Sequence, residues 1–360
     1  MFDKGILKSN SYSTPIIAVG NLTTGGTGKT PHIEYLIRLL RKSYKVATIS
    51  RGYGRSSKGY IHAKGNCNTK EIGDEPMQYF TKFPEISVNV AEKRTDAIEA
   101  LIHSIQKPQV ILMDDAFQHR YVKPGLNILL LEYEFIFKEN YLLPAGNLRE
   151  PMSSKSRADV IIVSKSPSIL VPIEKKNILE VIQPTENQQV YFSYLKYGEF
   201  NKVFGQQSPM HMGASYYMEK RFTILMVTGI ANPSGLIEYL RRHTDKLEIL
   251  IFPDHHEFDS KDLEKITETF NNIANQSKII VTTEKDAMRL RDPEIDPAIQ
   301  KLPIFFLPIE VFIHQEEEKF NKMITDFVRK NYFLSNIKFK SSTEYRYLRT
   351  IHCKINQSRI

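Results

Sequence analysis

Residues 20–31, with the sequence GNLTTGGTGKTP, constrain the fold of this chain more than any other segment. An apolar run at residues 15–20 leads into them. A helical pattern follows, with apolar side chains at i, i+3, i+4 and i+7: Ile33, Leu36, Ile37 and Leu40. A strand, a glycine-rich turn and a helix in this order are typical of a phosphate-binding loop, because backbone N–H groups and the helix N-terminus then face an anion. The sequence therefore predicts an ATP site at the start of an α/β domain.

The side chains of this loop divide between nucleotide contacts and a metal contact. Lys29 is expected to reach the β- and γ-phosphates of ATP, and the Thr30 hydroxyl to ligate Mg²⁺. Thr23 stands where the common pattern has glycine, so the match is irregular, and an ordinary glycine turn that opens a helix is the alternative. The residues predicted to bind the nucleotide are Thr23, Thr24, Gly25, Gly26, Thr27, Gly28, Lys29 and Thr30.

A second motif places two carboxylates at the end of an apolar strand, VILMDD at residues 110–115. Such a strand end can bring an acid beside the Mg²⁺ of a nucleotide site. Asp114 and Asp115 are therefore candidate metal ligands, and Asp114 is the better one. Taken alone, the pattern also fits a strand that simply ends in a turn.

Three shorter motifs are individually ambiguous. GDEP, at residues 73–76, fits a helix N-cap as well as a site with two acids. SRGYGR, at residues 50–55, is a cationic loop that suits an anion or a sugar, which makes Arg51 a candidate substrate ligand, but it also fits plain turn chemistry. FPDHHEF, at residues 252–258, places acids beside imidazoles and can orient a histidine toward a hydroxyl, although a surface histidine pair is the more ordinary explanation.

Short apolar runs alternate with helical patterns along most of the chain, as in strands buried on both faces of a parallel sheet. The expected fold is α/β and P-loop NTPase-like: a mostly parallel sheet with helices on both faces, a smaller second α/β lobe and a short antiparallel excursion. The strands predicted after the first are residues 45–50, 110–113, 126–132, 159–164, 222–228, 247–252, 278–283 and 304–307.

Breaks in this alternation divide the chain into four expected parts. Residues 1–165 are expected to form a domain that binds nucleotide and substrate, and the proline-containing residues 166–221 a linker and antiparallel excursion. Residues 222–332 are expected to form the second α/β lobe, and residues 333–360 a basic tail. The last 30 residues carry six basic side chains and one acidic side chain, a net charge of +5 out of +8 for the whole chain.

Other features bear on where the chain resides. The longest apolar runs are far shorter than the roughly 18 residues that a membrane-spanning helix needs. The first residues, MFDKG, lack the basic start of a signal peptide, and no apolar core follows them. We therefore expect the chain to stay in the cytoplasm. Cys67 and Cys353 lie far apart and indicate neither a zinc site nor a disulfide framework.

Taken together, these segments resemble the tetraacyldisaccharide 4′-kinase family, the lipid A kinases of Gram-negative bacteria, over residues 14–290. The matching pieces are GNLTTGGTGKTP, SRGYG, GDEP, EKR, DDAFQH, LLPAGNLREP, TGIANP, FPDHHEF and TEKDAMRL. The irregular Thr23 belongs to the family pattern as well. The resemblance implies an enzyme of lipid A and lipopolysaccharide biosynthesis that uses ATP and Mg²⁺. Its expected acceptor is the 4′-hydroxyl of a tetraacylated glucosamine disaccharide 1-phosphate.

The resemblance also implies roles for individual residues. Asp74 is expected to be the catalytic base that takes the hydroxyl proton, with His255 as its orienting partner and Lys29 at the transferred phosphate. Arg94 and His119 are expected to face the disaccharide and its phosphate. The enzyme is expected to be peripheral, at the cytoplasmic face of the inner membrane. Its implied partners are the acylated disaccharide and the membrane surface, with no nucleic acid and no protein partner.

Two departures from the family pattern bear on these expectations. The resemblance implies a longer amphipathic membrane helix ahead of the first strand, of which this chain shows only Phe2, Ile6 and Leu7. Membrane binding is therefore expected to be weak and salt-sensitive, and to be helped by the basic tail. Ala116 follows the two acids where glycine is more usual, which stiffens the backbone without removing a reacting group.

Two other functions stay open on the residues alone. A partition- or chaperone-type P-loop ATPase also has a G-G-x-G-K-T loop but begins it with a signature lysine, where this chain has Thr24. A basic nucleic-acid-binding protein fits the isoelectric point of about 9.1. Most of the excess charge, however, lies in a tail without a recognisable RNA or DNA module.

Overall fold

The computed structural model describes residues 2, 5–138, 140–205, 214–292 and 296–333. Two sheets form the core of this part of the chain. The larger sheet contains β1 (Ile16–Asn21), β2 (Val46–Ser50), β3 (Ile61–His62), β4 (Ser87–Val90), β5 (Val110–Asp114), β6 (Leu126–Glu132), β7 (Val160–Ser164), β8 (Gln189–Tyr197) and β14 (Ile309–Ile313). The smaller sheet contains β9 (Asn201–Lys202), β10 (Thr223–Thr228), β11 (Leu247–Ile251), β12 (Lys278–Thr283) and β13 (Ile304–Leu307).

Helices connect most of these strands and cover the sheets. They are α1 (Lys29–Leu40), α2 (Thr69–Ile72), α3 (Asp74–Lys82), α4 (Arg94–Ile102), α5 (Tyr133–Ile136), α6 (Pro172–Ile182), α7 (Ala214–Glu219), α8 (Ser234–Arg241), α9 (Ser260–Asn272), α10 (Glu284–Leu290) and α11 (residues 317–333). Two short 3₁₀ helices span Met152–Arg157 and Pro297–Lys301. In the described part of the chain, no helix combines the length and the apolar character needed to cross a bilayer.

Strand β1 lies in the middle of the larger sheet, whose order is β14-β8-β7-β6-β1-β5-β2-β4-β3. It pairs in parallel with β5 on one side and with β6 on the other, and all six of its residues are buried. The carboxyl ends of β1, β5 and β2 therefore lie side by side at one edge of the sheet. Ligands of open α/β sheets bind at such an edge.

Helices pack on both faces of this sheet. Alternate residues of β1 face opposite sides: Ile17 belongs to the same apolar cluster as Ile33 of α1, while Ile16 belongs to a cluster with Ile98 of α4. The predicted apolar face of α1 is buried as expected, and α11 adds Phe320 to the same cluster. Helices on both faces explain why the central strands are apolar throughout.

The second lobe is built in the same way around β10, in a sheet of order β11-β10-β12-β13-β9. Strands β10 to β13 pair in parallel, and only β9 pairs antiparallel, with β13. Helix α9 buries Leu263, Ile266 and Phe270 against one face, and α8 contributes Leu236 and Leu240 to the cluster on the other face. A second α/β lobe is therefore present.

Residues 166–221 contain regular structure that the sequence did not predict. Pro172 does not break the chain but begins α6, where its missing N–H costs nothing because the first turn has no intrahelical partner. Strand β8 pairs in parallel with β7 and so belongs to the larger sheet, although it also pairs antiparallel with β14. Helix α6 and the pairing of β7 with β8 therefore continue the α/β alternation of the larger sheet, and the antiparallel pairing expected in this segment is present between β8 and β14.

The expected end of the second lobe also changes. Strand β14 and helix α11 fall within residues 222–332 for the most part, yet both return to the larger sheet, where Val311 and Phe320 join the cluster around α1. The second lobe is thus an insertion between β8 and β14. The basic tail, from residue 334 onward, lies outside the described residues.

Candidate active site

The glycine-rich loop connects β1 to α1 at the centre of the larger sheet. Gly25 and Gly28 have φ angles of +106° and +87°, a backbone region that glycine adopts without strain. Thr24, Gly25 and Gly26 are exposed, and a Cβ placed on either glycine would meet no atom within 4 Å. Thr23 and Thr27 are buried. The loop is therefore fixed at both ends and open in the middle, as a phosphate cradle requires.

Asn21, the last residue of β1, holds the loop from inside. Its Nδ2 donates to Thr27 Oγ1 at 3.0 Å, and its Oδ1 accepts a hydrogen bond from Lys29 Nζ at 3.3 Å. The same side chain is fully buried, so few other conformations are open to it. The sequence reasoning did not single out Asn21, although its position directly after the predicted apolar run at residues 15–20 was a usable signal.

Lys29 also lies close to Asp115. Its Nζ is 3.5 Å from Asp115 Oδ1, and Arg149 Nη1 donates to both oxygens of the same carboxylate at 3.1 and 3.0 Å. Burial alone would raise the pKa of Asp115, but the charges of Lys29 and Arg149 hold it below its usual value. Asp115 has a positive φ of 47°, a strained conformation that is common at functional sites. Arg149, from the LLPAGNLREP segment, was not among the predicted site residues.

Asp114 ends β5 beside the loop and is almost completely buried. Its Oδ2 accepts a hydrogen bond from Tyr79 at 2.9 Å, while its Oδ1 has no hydrogen-bond partner among the described residues. Burial raises the pKa of this carboxyl to about 6, and the negative charges of Glu75 and Asp115 add to the effect. An orphaned carboxylate oxygen in a cluster of acids is a position that a divalent cation satisfies.

Asp74 and His255 meet across the two lobes, although 181 positions separate them in the sequence. Asp74 begins α3 in the first lobe, and His255 follows β11 in the second, with a positive φ of 56°. His255 Nδ1 lies 3.1 Å from Asp74 Oδ2, and Arg289 of α10 donates to the same oxygen. Burial raises the pKa of Asp74, but hydrogen bonds from His255 and Arg289 outweigh it and bring the pKa to about 2.

A cavity of about 500 Å³ opens beside this pair, between the lobes. Its wall combines the charged groups Asp74, His255 and Arg289 with the aromatic and apolar side chains Tyr53, Phe258 and Leu263. The Tyr53 ring lies 5.0 Å from the His255 imidazole, centre to centre. A mixed polar and apolar wall of this kind suits a sugar that carries apolar groups.

The three residues predicted to contact substrate are gathered near the carboxyl ends of β2, β4 and β5. Arg94 is buried, and its guanidinium donates to the carbonyl oxygens of Ala91 and Asp114. Burial lowers the pKa of His119 to about 4, and the charges of Arg94 and Arg51 act in the same direction. His119 is therefore neutral at physiological pH, and its Nε2 has no partner among the described residues.

A smaller cavity of about 370 Å³ lies beside the phosphate loop. It is lined by Phe135, Lys138, Tyr141 and Asn147 of the first lobe and by Asn232 of the second. Asn147 also accepts a hydrogen bond at its carbonyl oxygen from the Thr24 amide at 2.8 Å. The phosphate loop is thus hydrogen-bonded to the wall of a cleft that both lobes border.

Comparison with known proteins decides the family. A family model described as tetraacyldisaccharide-1-P 4′-kinase matches residues 1–329. The chain belongs to this family. The tetraacyldisaccharide 4′-kinase of Phocaeicola vulgatus is 45% identical over 93% of this chain and 92% of its own. That of Bacteroides thetaiotaomicron is 46% identical over 92% of this chain and 89% of its own.

A solved structure extends the comparison to the fold. The crystal structure of "apo" form LpxK from Aquifex aeolicus in complex with ATP superposes with a TM-score of 0.67 at 28% identity, over 91% of this chain and 92% of that one. The predicted α/β fold and the resemblance to the tetraacyldisaccharide 4′-kinase family are thereby confirmed. As a member of this family, the chain is a kinase, and the ATPase and nucleic-acid-binding alternatives lose their support.

Proposed function

We propose that this kinase transfers the γ-phosphate of ATP to the 4′-hydroxyl of a tetraacylated glucosamine disaccharide 1-phosphate. The observation that carries the proposal is the position of α3. Its first residue, Asp74, lines the inter-lobe cavity, and Tyr79, further along the helix, donates to Asp114 beside the phosphate loop. One short helix therefore connects a carboxylate suited to deprotonate an acceptor with a carboxylate suited to the nucleotide site.

The proposed roles follow from the contacts. Asp74 takes the proton of the acceptor hydroxyl. His255 orients the Asp74 carboxylate through the contact of 3.1 Å between His255 Nδ1 and Asp74 Oδ2. Lys29 leaves Asp115 to meet the phosphate of ATP and neutralises charge on the transferred group. The loop residues 23–30 hold the phosphates. Phosphoryl transfer needs in-line positioning and charge neutralisation more than it needs covalent chemistry, and these residues supply both.

The donor set also fits Mg²⁺. Asp114 offers a buried carboxylate oxygen without a partner, Asp115 a second carboxylate, and Thr30 a hydroxyl at the start of α1. Hard oxygen ligands of this kind are those that Mg²⁺ prefers, with nucleotide phosphates and water completing its shell. When bound there, the ion would neutralise charge on the nucleotide phosphates.

We further infer that Arg51 and His119 face the disaccharide or its phosphate. Arg51 is exposed, and both Arg51 and Arg94 lie close enough to lower the pKa of His119. Arg94 is buried, and its charge adds to the positive potential at His119. Its guanidinium donates hydrogen bonds to the carbonyl oxygens of Ala91 and Asp114. A neutral His119 can donate or accept a hydrogen bond with a sugar hydroxyl.

We infer a peripheral position at the cytoplasmic face of the inner membrane from the acylated acceptor. Its acyl chains stay in a bilayer, so the enzyme must reach the headgroup from the surface. Cell fractionation tests this inference. The protein is expected to sediment with inner membranes and to be released by high salt or alkaline carbonate, whereas full recovery in the soluble fraction at low salt would contradict it.

The experiment that tests the function measures ATP consumption and lipid phosphorylation with the purified full chain. Labelled phosphate is expected to reach the disaccharide only when ATP, Mg²⁺ and the lipid are all present. Asp74→Asn should lose this transfer. Asp262→Asn is a matched control, because Asp262 forms a second carboxylate–imidazole contact, with His256 at 2.7 Å, outside the cavity wall. ATP hydrolysis that is indifferent to lipid but stimulated by an oligonucleotide would contradict the proposal.

A further inference from the structure

Arg289 stands at the end of a buried series of polar contacts in the second lobe. Asp286 is fully buried, and its Oδ2 accepts hydrogen bonds from Thr228 Oγ1, the Gly229 amide and Thr283 Oγ1 at 2.9, 3.1 and 2.7 Å. Its Oδ1 accepts from Arg289 Nη1 at 2.8 Å. Arg289 is 5% exposed and also donates from Nη1 to the Gly229 carbonyl oxygen at 3.0 Å. The second lobe thus fixes the direction of this guanidinium.

The other side of the guanidinium meets Asp74 in the first lobe. Arg289 Nε and Nη2 both donate to Asp74 Oδ2, at 3.1 and 2.5 Å, and His255 Nδ1 approaches the same oxygen at 3.1 Å. Within the described residues, the hydrogen bonds to this carboxylate all converge on Oδ2. Oδ1 is therefore the oxygen that can accept a proton from a substrate hydroxyl.

We propose that Arg289 is a positioning residue for phosphoryl transfer, which holds Asp74 Oδ2 so that Oδ1 is presented to the acceptor hydroxyl as an ionised carboxylate. The proposal rests on the proposed function, in which Asp74 takes that proton. In the step itself, the hydroxyl O–H bond breaks, the proton moves to Oδ1, and the hydroxyl oxygen forms a bond to the γ-phosphorus as the bond from that phosphorus to the leaving ADP oxygen breaks.

The charges around Asp74 explain why this contact matters. His255 faces it from the loop after β11, and Arg289 and Lys285 face it from α10, while Glu75 is the acid beside it on α3. The buried environment favours the protonated form, and the positive neighbours oppose it. Without Arg289, burial and Glu75 would raise the pKa of Asp74, and a larger fraction of the base would be protonated at a given pH.

A purely structural role for Arg289 predicts a different result. Helices α3 and α10 are also joined by Lys285 with Glu75 and by Lys82 with Glu284. These two ion pairs remain when Arg289 is replaced, so the lobes stay in contact. The loss that we expect is therefore confined to the ionisation and direction of one carboxylate.

The test measures kcat and KM from pH 5 to pH 9 for the full chain and for Arg289→Gln, Arg289→Lys and Arg291→Gln. Arg291 is the matched control, because it is a half-buried arginine near the end of α10 that donates to Val203 and Lys202 carbonyl oxygens, away from Asp74. In Arg289→Gln, kcat at pH 7.5 is expected to fall about 30-fold, with KM for ATP within about threefold. The wild type should show no acid limb from Asp74 in this range, because the pKa of this carboxyl is about 2, whereas Arg289→Gln should show an acid limb of kcat above pH 5. Arg289→Lys should recover part of the lost kcat and should show its acid limb at a lower pH than Arg289→Gln. Arg291→Gln should match the wild type.

Two outcomes would overturn the proposal. One is a fall in kcat without an acid limb between pH 5 and pH 9, which indicates general disruption, and the other is wild-type kcat in Arg289→Gln. A double variant, Asp74→Asn with Arg289→Gln, should be no slower than Asp74→Asn alone, because both changes act on one group. Additive losses would contradict a shared role. If wild type and Arg291→Gln fail to phosphorylate the lipid while ATP still binds, the proposed function fails instead, and the two failures are thus distinguished.

Discussion

Gly73 offers a sharp test of how the backbone places the proposed base. It ends α2 and directly precedes α3, with φ of 91° and ψ of 165°. Only glycine adopts this region readily. A Cβ at Gly73 would lie 3.0 Å from the Tyr53 carbonyl oxygen and 3.1 Å from Gly52 Cα. Both neighbours are backbone atoms of the SRGYG loop, so a side chain here forces the loop and the start of α3 apart.

The expected cost of Gly73→Ala has two parts. Holding alanine in this conformation costs about 1–3 kcal/mol, and overpacking against the loop backbone adds roughly 1 kcal/mol or more. The folded chain relieves this strain by moving Asp74, the next residue. A displacement of about 1 Å at a reacting group can reduce a rate about 100-fold. We therefore expect kcat to fall by about two orders of magnitude. Nucleotide affinity should stay unchanged, because the phosphate loop connects β1 to α1, whereas Gly73 joins α2 to α3.

The assay combines urea unfolding, nucleotide binding and steady-state kinetics, with Gly65→Ala as the matched control. Gly65 also has a positive φ, of 59°, but a Cβ there would meet no atom within 4 Å. This control should lose only about 1–2 kcal/mol of stability, the cost of the left-handed conformation, and should keep its kcat within about threefold. Equal kinetic effects in the two variants, or wild-type kcat in Gly73→Ala, would refute the reasoning.

Three further outcomes are expected. Lys29→Ala should abolish transfer while the thermal midpoint stays near that of the wild type, since the charge on the transferred phosphate is then unneutralised; activity within tenfold of wild type would contradict this. Asp114→Asn should raise the Mg²⁺ concentration that gives half-maximal activity, and an unchanged Mg²⁺ titration would exclude a ligand role. Burial and the negative charge of Glu34 raise the pKa of Glu284 to about 7, although the charge of Lys82 opposes them. The ionisation of Glu284 therefore costs stability as the pH rises from about 4.5 through 7. The free energy of unfolding of Glu284→Gln should therefore rise by on the order of 1–3 kcal/mol relative to that of the wild type between pH 5 and pH 8. Urea unfolding in which the stabilities of the two proteins change with pH in the same way would contradict this.

The fold could be predicted where the sequence of a single strand was largely apolar. Apolar runs such as β6 and β12 were placed at their observed bounds because both faces of these strands are buried. Strand β4, with Ser87 and Asn89, lacked that pattern. The buried Asn89 side chain is satisfied in part by the Thr48 carbonyl oxygen of β2, 41 positions away, and a short sequence window does not contain that contact. The parallel pairing of β8 depends on the crossover through α6, which prolines had marked as a break.

The candidate site divides along a similar line. The phosphate loop and the acids at the end of β5 are local motifs that a short stretch of sequence contains. Because β1 and β5 pair in parallel, their carboxyl ends bring the two motifs together. The pairing of Asp74 with His255 came from family resemblance, since nothing in the spacing of the two residues indicates contact. Arg289 and Asn21 were missed because their roles depend on partners from other elements, one in the opposite lobe and one inside the loop.

The joint between the lobes shows why charge, rather than apolar area, suits this site. Glu34 of α1 is completely buried and accepts hydrogen bonds from Gln78 and Lys82 of α3, and both of these also bind Glu284 of α10. Buried ion pairs add little net stability, because desolvation offsets their attraction. They do, however, require particular partners at particular distances, whereas apolar faces tolerate sliding. This network thus fixes the relative positions of α1, which follows the phosphate loop, α3, which carries Asp74, and α10, which carries Arg289. It thereby places Asp74 relative to the nucleotide site.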